Sequence, residues 1–543
     1  MDGAGKHEKT KPKLPNPPQP LKGGRFDQLR DQALRDRDEP VDGVREESES
    51  AGHVEKEGVG SREKRGEAGS LRAMSEKGRS VSSSSHPSDN SPTHSLPCCI
   101  EGPDDFIPKA RYAVDMLLLG LGLKPDWVEV NALNGRGLYY GSNPDAAPEK
   151  ALRIPSRPET PAFFSQRRAF RGKEMRVIRW DGEDWPIPFG GKGDNLLDVI
   201  ASTFFWLVGW QEHTTAERDR HGRFPYAASL QAELDCSMKP LVDVYRAWLG
   251  EQLTERGVTV HPRTWNGKSW AVALTHDIDF IETRKRSRLK SFVLGRLGKA
   301  FGSLGRDDPK RAAMYRIKAA EVARRVTATY FLKGGASTKE DVAYRLDTPW
   351  LREFMAGLRT NGFEIGLHPS YAAYDHPGLL QQELGELTKA IGRTPQSIRT
   401  HFLRWVEPST PRLLEQHAFC VDSTLGFSKH EGFRRATCHP FRLFDLIENR
   451  PLDVWEMPLA IMDATLFAHR GLSADAATKQ IQVVFKATKR VGGCAVLLWH
   501  NTLYDEVDFP GQAAVFEYTL DVALADGAFV ASLQDGMRDY MIA

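Results

Sequence analysis

The 543-residue sequence contains no Cys-x-x-Cys pair, although it has six cysteines. Cys98 and Cys99 are adjacent, and Cys236, Cys420, Cys438 and Cys494 are scattered. This spacing argues against a zinc ribbon and against a dithiol redox motif. The sequence also has no large excess of charge of either sign, because the formal net charge is +2 and the pI is about 8.1. Such a balance gives no reason to expect a nucleic-acid partner.

Long apolar runs are missing as well. The N-terminus has no apolar stretch that could serve as a secretory signal. The longest apolar stretch near the front, residues 116–123, is too short to span a bilayer. We therefore expect no membrane span and a cytoplasmic location, which scattered cysteines also favour.

Aromatic residues are almost absent from the first part of the chain. Residues 1–97 contain no Trp, Tyr or Ile and a single Phe, Phe26. They are dense in Lys, Arg, Glu, Ser, Pro and Gly, so they cannot bury enough apolar area to offset the entropy of ordering. We predict that residues 1–104 form a disordered tail.

The middle of the chain has the pattern of a small α/β domain, residues 105–265. Apolar residues recur at helical spacing in residues 111–123, 195–210 and 241–253, and residues 127–130 and 137–140 resemble short strands. The charged run at residues 218–225 either has a function or forms a network that fixes two helices. We favour the second interpretation.

Residues 266–543 show a different pattern, in which short apolar runs rich in β-branched residues alternate with helical segments. Alternation of this kind predicts a parallel sheet with crossover helices, and about seven units predict a barrel. The fold class we expect is α/β: a distorted (β/α) barrel of about seven parallel strands, preceded by the smaller α/β domain and the tail. The candidate strands are residues 271–275, 326–332, 363–367, 397–402, 419–421, 454–458 and 495–499.

Acidic, basic and imidazole side chains lie at the ends of these candidate strands. They are Asp277, Asp279, His368, Arg399, His401, Asp422, Glu456, Asp463 and His500. In a parallel barrel the strand ends meet at one face, where active sites form. Asp277 and Asp279 are two residues apart, so in an extended chain they point the same way and could act as base and metal ligand of one site. This convergence predicts an enzyme.

The same residues resemble the motifs of the polysaccharide deacetylase, or NodB-homology, family of carbohydrate esterases. Residues 275–279, Thr-His-Asp-Ile-Asp, resemble that family's first motif, and residues 498–500, Leu-Trp-His, its last. His368 stands where the second motif supplies a metal ligand, Arg399 resembles the arginine of the third, and Asp422 matches the fourth. The likeness covers about residues 271–501. Within the family, the chain resembles the branch with an extra N-terminal domain of unknown function.

The resemblance implies roles for these residues. Asp277 would be the general base, Arg399 would orient it, and His500 would be the general acid. The second motif normally has another His four residues after the first, but Ala372 stands there. His401 could fill this gap from the next strand, and His376 is the poorer substitute. We therefore expect a divalent ion, most simply Zn²⁺, on Asp279, His368 and His401.

The expected function is metal-dependent removal of N-acetyl or O-acetyl groups from a carbohydrate substrate. The residues expected to bind that substrate are Arg404, Asp422, Arg434, Trp499 and Asn501. Two alternatives stay open, namely a non-catalytic carbohydrate-binding descendant of the barrel and an amidohydrolase of a small non-sugar amide. The oligomeric state does not follow from the sequence.

Overall fold

The computed structural model describes residues 94–542, apart from residues 134, 192–196, 283–307 and 507. The predicted tail lies outside the described residues up to position 93. Its last part does not, because His94–Ile100 form the first strand, β1. Leu96 and Cys98 of this strand are buried. The prediction of a disordered tail is therefore wrong for residues 94–100, because a few apolar residues in alternation were too short a signal beside a polar composition.

The N-terminal region, residues 94–258, is built on a four-stranded parallel sheet in the order β2-β1-β3-β4. Its strands after β1 are β2 (Leu123–Trp127), β3 (Leu138–Gly141) and β4 (Leu152–Pro155). An antiparallel hairpin follows, made of β5 (Arg176–Trp180) and β6 (Glu183–Ile187). The helices are Ile107–Gly120, Glu159–Ser165, Val199–Leu207, Trp210–His213, Leu230–Glu233 and Leu241–Glu255.

The C-terminal region, residues 271–542, contains one ten-stranded sheet. Its strands are β7 (Ala271–Ile278), β8 (Thr329–Leu332), β9 (Glu364–Leu367), β10 (Ser397–Ile398), β11 (Val421–Asp422), β12 (Phe441–Asp445), β13 (Arg450–Glu456), β14 (Leu459–Met462), β15 (Cys494–Leu498) and β16 (Phe529–Ala531). The order is β12-β13-β11-β10-β9-β8-β7-β15-β14, and β16 pairs with β7. The helices are Pro309–Arg324, Pro349–Thr360, Pro377–Ile391, Ser409–Gln416, Ala474–Arg490, Gln512–Ala525 and Leu533–Ile542.

This sheet is parallel except at one edge, where β12 runs antiparallel to β13. Every residue of β7 is buried, as expected for a central parallel strand covered on both faces. Among the described residues β12 and β14 do not pair with each other, so the sheet is curled but open. The strand count exceeds the predicted seven, because β12, β14 and β16 are short or irregular runs that gave no separate pattern.

Aromatic and charged contacts join the two regions. Phe444 of β12 packs against Tyr112 and Phe204, with ring centroids 5.0 and 5.2 Å apart. Buried Glu212 forms a two-bond ion pair with Arg434. The predicted domain boundary near residue 265 falls between the last helix of the N-terminal region and β7, and the division into domains stays a prediction. Within the described part of the chain, no helix combines the length and the apolar character needed to cross a membrane.

Candidate active site

The carboxyl ends of five strands surround one cavity of about 140 Å³. The polar residues that these ends contribute are Asp277 near the end of β7, Asp279 directly after β7, Lys333 after β8, His368 after β9, His401 after β10 and His500 after β15. Crossover connections place all these ends on one edge of the sheet, as the sequence predicted. Asp277, Asp279, His368, His401 and His500 are therefore brought together from more than 220 residues of chain.

Three of these side chains form a possible ligand set for a metal ion. Oδ1 of Asp279 lies 3.5 Å from Nε2 of His368 and 3.3 Å from Nε2 of His401. All three ligand atoms lie within 4.8 Å of one another. Asp279 Oδ1 is buried and accepts no hydrogen bond within the described residues. One carboxylate and two imidazoles are suitable ligands for Zn²⁺ and similar ions.

The outer nitrogens of both imidazoles are held by the protein. His368 Nδ1 lies 2.7 Å from the carbonyl oxygen of Arg399, and a carbonyl can only accept, so Nδ1 carries the proton. His401 Nδ1 lies 2.8 Å from Oδ1 of Asp341. Contacts of this kind orient each ring with Nε2 toward the cavity, as in many metal sites. The residues present thus fit a divalent ion.

His376, the other candidate for the missing ligand, lies elsewhere. Its Nδ1 accepts a hydrogen bond from the backbone of Leu379, and it caps the helix Pro377–Ile391 on the exposed surface. Ala372 does not face the cavity either, and its backbone N–H donates to Ser337. His401, and not His376, therefore lies within ligand distance of Asp279 and His368.

Lys333 is a close neighbour of the ligand set that the sequence did not single out. Its side chain is 2% exposed, and Nζ lies 3.4 Å from Asp279 Oδ1 and 3.4 Å from His401 Nε2. Burial alone would raise the pKa of Asp279, but the charges of Lys333 and His401 hold that pKa well below its usual range. Lys333 directly follows the buried strand β8, so its position at a strand end was the available signal.

Asp277 is held by a fully buried arginine. Nη1 of Arg399 donates to Oδ1 of Asp277 over 3.1 Å and to Thr275, while the rest of the guanidinium binds Ser423. The second carboxylate oxygen of Asp277 is 3.9 Å from His368 Nε2. Asp277 therefore lies beside the ligand set as a carboxylate that an ion pair with Arg399 holds in place.

On the opposite side of the ligand set, His500 pairs with Asp463. His500 Nδ1 lies 2.7 Å from Asp463 Oδ1, and its Nε2 is 3.8 Å from Asp279 Oδ2. Burial disfavours the charged imidazole, but the carboxylates of Asp463 and Asp279 outweigh it and raise the pKa of His500 to about 9. Asp463 follows β14 and was noted at a strand end, but it had no role in the sequence-based site.

The residues predicted to bind substrate do not line this cavity. They are Arg404, Asp422, Arg434, Trp499 and Asn501. Asp422 and Arg434 are buried, Asp422 beside Glu456 and Arg434 on Glu212. Asp422 ends β11, but alternate side chains of a strand point to opposite faces, so a strand end does not fix which side chains face the cavity. Arg434 lies in the irregular segment between β11 and β12, where no pattern marks the direction of its side chain.

The remaining three are also held by other parts of the protein. Arg404 stacks on the rings of Tyr371 and Tyr374, at 4.1 and 4.0 Å from the ring centroids. Asn501 donates to the carbonyl oxygen of Phe280. Trp499 is enclosed in the core. Outside the catalytic and ligand candidates, the cavity wall combines apolar side chains with polar ones. The apolar ones include Phe280, Val342, Phe402, Leu403, Met462 and Leu503, and the polar ones are Arg223, Glu340, Ser428, His469 and Thr502.

Comparison with known proteins gives one family match, DUF7033, a family of unknown function, over residues 100–258. None of the curated proteins matches the chain. Among solved structures, the chain is similar to a protein described as a polysaccharide deacetylase from Mycobacterium smegmatis, with 22% identity, a TM-score of 0.36, and coverage of 49% of this chain and 88% of that one.

Two further solved structures have similar scores. A probable polysaccharide deacetylase from Pseudomonas aeruginosa PAO1 is 16% identical, with a TM-score of 0.37 and coverage of 51% of this chain and 92% of that one. Puue allantoinase is 15% identical, with the same TM-score and the same coverage. Similarity this low does not identify a function, so the function has to be argued from the side chains of the site.

Proposed function

We propose that the chain is a metal-dependent hydrolase that removes an acetyl group from an N-acetylated or O-acetylated carbohydrate. The observation that supports this best is the ligand set itself. Asp279, His368 and His401 converge within 4.8 Å, with Asp277 on one side and His500 on the other. The motif resemblance in residues 275–279 and 498–500 supports the same class of reaction.

A divalent ion on the three ligands would supply a Lewis acid that activates water and polarises the acetyl carbonyl. Asp277 would take the proton of the attacking water as the new C–O bond forms. The buried guanidinium of Arg399 fixes the direction of the Asp277 carboxylate, since Nη1 donates to Oδ1 over 3.1 Å. Asp277 is thereby prepared as a base rather than as a second ligand.

His500 would complete the reaction as the general acid. Its Nδ1 is occupied by Asp463, so the atom that faces the cavity is Nε2. A raised pKa keeps the ring protonated at neutral pH. As the C–N bond breaks, Nε2 would give its proton to the departing nitrogen, and acetate and the free amine would leave.

Metal analysis and a deacetylation assay on N-acetylated oligosaccharides test this proposal. We expect Asp279→Ala to lose bound metal and turnover together. His500→Ala should keep the metal but lose turnover by about 10²-fold or more. His376→Ala is the matched control, because this imidazole lies on the surface, and it should keep both. Wild-type metal content and turnover in Asp279→Ala would overturn the proposal.

A small non-sugar amide is the second candidate substrate. The modest volume of the cavity, about 140 Å³, favours it, since a small amide needs less room than an oligosaccharide. Turnover of small cyclic amides with none of N-acetylated oligosaccharides would select this function. Full metal occupancy without turnover of either class would select the non-catalytic descendant.

A further inference from the structure

The segment that carries His401 has an unusual backbone. Phe402 and Leu403, directly after His401, both have left-handed backbone angles, with φ of 61° and 55°. Neither is glycine or asparagine, and bulky residues rarely adopt this conformation, let alone two in succession. A conformation of this cost persists only where surrounding contacts impose it.

Those contacts come from the N-terminal region. Nη1 of Arg223 donates to the carbonyl oxygen of Phe402 over 3.0 Å, and Arg404 donates in return to the carbonyl oxygen of His221 over 2.9 Å. The ring of His221 also packs on Phe402, with centroids 4.7 Å apart. Residues 402–404 are thus held at both ends by two residues of the charged run 218–225.

The charged run is itself rigid. Oδ1 of Asp219 accepts hydrogen bonds from the backbone N–H groups of His221 and Arg223, each over 2.9 Å. Oδ2 of Asp219 accepts from Nε of Arg223 over 2.7 Å. Arg223 is 6% exposed and also lines the cavity. This run therefore does more than fix two helices, because it reaches the candidate active site.

We propose that the N-terminal region, which matches a family of unknown function, positions His401 as the third metal ligand and so compensates for Ala372. Arg223 is the main positioning residue. Without it, residues 402 and 403 relax toward ordinary backbone angles, and the imidazole of His401 turns away from Asp279. The inference rests on the proposed function, since it concerns the same ligand set. Outer partners of metal ligands commonly change metal affinity by about 10–100-fold.

Titration of the metal-free full-length protein with Co²⁺ tests the proposal, because the visible spectrum of Co²⁺ reports its ligands. We expect Arg223→Met to weaken Co²⁺ binding by about tenfold or more and to change the spectrum. Arg490→Met is the matched control. Arg490 also joins the two regions, through Asp181 and Glu183, but it does not line the cavity. This variant should bind Co²⁺ as the wild type does.

A second variant separates positioning from general damage to the fold. Glycine adopts left-handed angles at little cost, so Arg223→Met combined with Phe402→Gly should recover part of the lost Co²⁺ affinity. A merely structural role of Arg223 predicts no recovery. Unchanged affinity and spectrum in Arg223→Met, or no recovery in the double variant, would overturn the inference.

Failure of the proposed function would look different, because the wild type would then take up no Co²⁺ at all. Hydrogen exchange of the amides in residues 400–405 then decides whether Arg223 holds this segment. Faster exchange in Arg223→Met than in Arg490→Met supports the positioning role. Equal exchange rates in the two variants overturn it.

Discussion

Two clusters among the described residues have the composition of a metal site, and they differ in the hydrogen bonds that their carboxylates accept. The cavity cluster is Asp279, His368 and His401, and the junction cluster is Asp243, Cys438 and His439, between the two regions. In each cluster the ligand atoms lie within 4.8 Å of one another. Residue type and proximity therefore do not distinguish them, and the hydrogen bonds around each carboxylate do.

In the junction cluster both oxygens of the Asp243 carboxylate accept hydrogen bonds. Oδ1 of Asp243 accepts from Arg246 and from Thr437, each over 2.8 Å, and Oδ2 accepts from the backbone of Cys438. Burial raises the pKa of the Cys438 thiol well above its usual value, so the thiolate that a metal requires is disfavoured. This cluster is a buried ion-pair network. It joins the helix Leu241–Glu255, the last helix of the N-terminal region, to the segment before β12.

In the cavity cluster the corresponding oxygen, Oδ1 of Asp279, accepts no hydrogen bond among the described residues. Its neighbours are two imidazole nitrogens and the ammonium of Lys333. Positive groups thus surround Asp279 Oδ1, but none donates a hydrogen bond to it, so its lone pairs stay available to a ligand. This difference between the two carboxylates favours the cavity cluster as the candidate metal site.

A matched pair of substitutions tests this comparison with the largest expected effect. Asp243→Asn should lower the free energy of unfolding by about 3 kcal/mol, because it leaves the buried charge of Arg246 without its partner, and should leave metal content unchanged. Asp279→Asn should instead lower the metal content and leave the free energy of unfolding of the metal-free protein unchanged. Urea unfolding of the metal-free proteins and metal analysis measure both. Loss of metal from the Asp243 variant would contradict the distinction between the clusters.

The junction cluster should also respond to pH. Burial alone would raise the pKa of Asp243, but His439 and Arg246 hold it far below its usual range. A depressed folded pKa contributes stability above the unfolded value of about 3.9, and this contribution is lost as the pH falls below it. The difference in stability between wild type and Asp243→Asn should therefore shrink below about pH 4, as followed by urea unfolding. A difference that stays constant to pH 2 would contradict the ion pair.

Asp463→Asn should have the next largest effect, on catalysis alone. Removing this carboxylate lowers the pKa of His500, so the protonated imidazole is lost at a lower pH than in the wild type. We expect turnover to fall by at least about tenfold at neutral pH, and its alkaline limb to move from near 9 to lower pH. A pH–rate profile measures this, and an unmoved limb would exclude His500 as the acid.

Lys333→Met should strengthen metal binding by about tenfold or more, since it removes a positive charge 3.4 Å from Asp279 Oδ1 while keeping a long side chain. Lys310→Met is the control, because Lys310 is similarly buried but pairs with Asp505 outside the cavity. Calorimetric titration with Zn²⁺ gives the affinities. Weaker binding in Lys333→Met would show that Lys333 supports the ligand set instead of competing with the ion.

The smallest effect is expected at His376. Its Nδ1 caps the helix Pro377–Ile391, so His376→Ala should cost about 1 kcal/mol in the free energy of unfolding and leave metal content unchanged. Thermal or urea unfolding together with metal analysis measures both. Loss of metal would restore His376 as the third ligand in place of His401.

Much of the site could be predicted because parallel strands align their ends. Asp277, Asp279, His368 and His500 each follow a buried apolar run, and their convergence needed only the alternation of strands and helices. Asp341 could not be found in this way. It lies in an irregular segment between β8 and the helix Pro349–Thr360, where no periodicity marks which side chains turn inward.

The sequence by itself determined the α/β alternation and which residues stand at the strand ends, because both follow from the local spacing of apolar residues. Only the tertiary structure decided that His401 rather than His376 joins Asp279, that Asp422 is buried beside Glu456, and that Arg434 is buried in an ion pair with Glu212. These outcomes depend on contacts between residues far apart in the chain. The left-handed backbone at Phe402 and Leu403 is the clearest case, since the residues that hold it lie about 180 positions earlier, in another region of the fold.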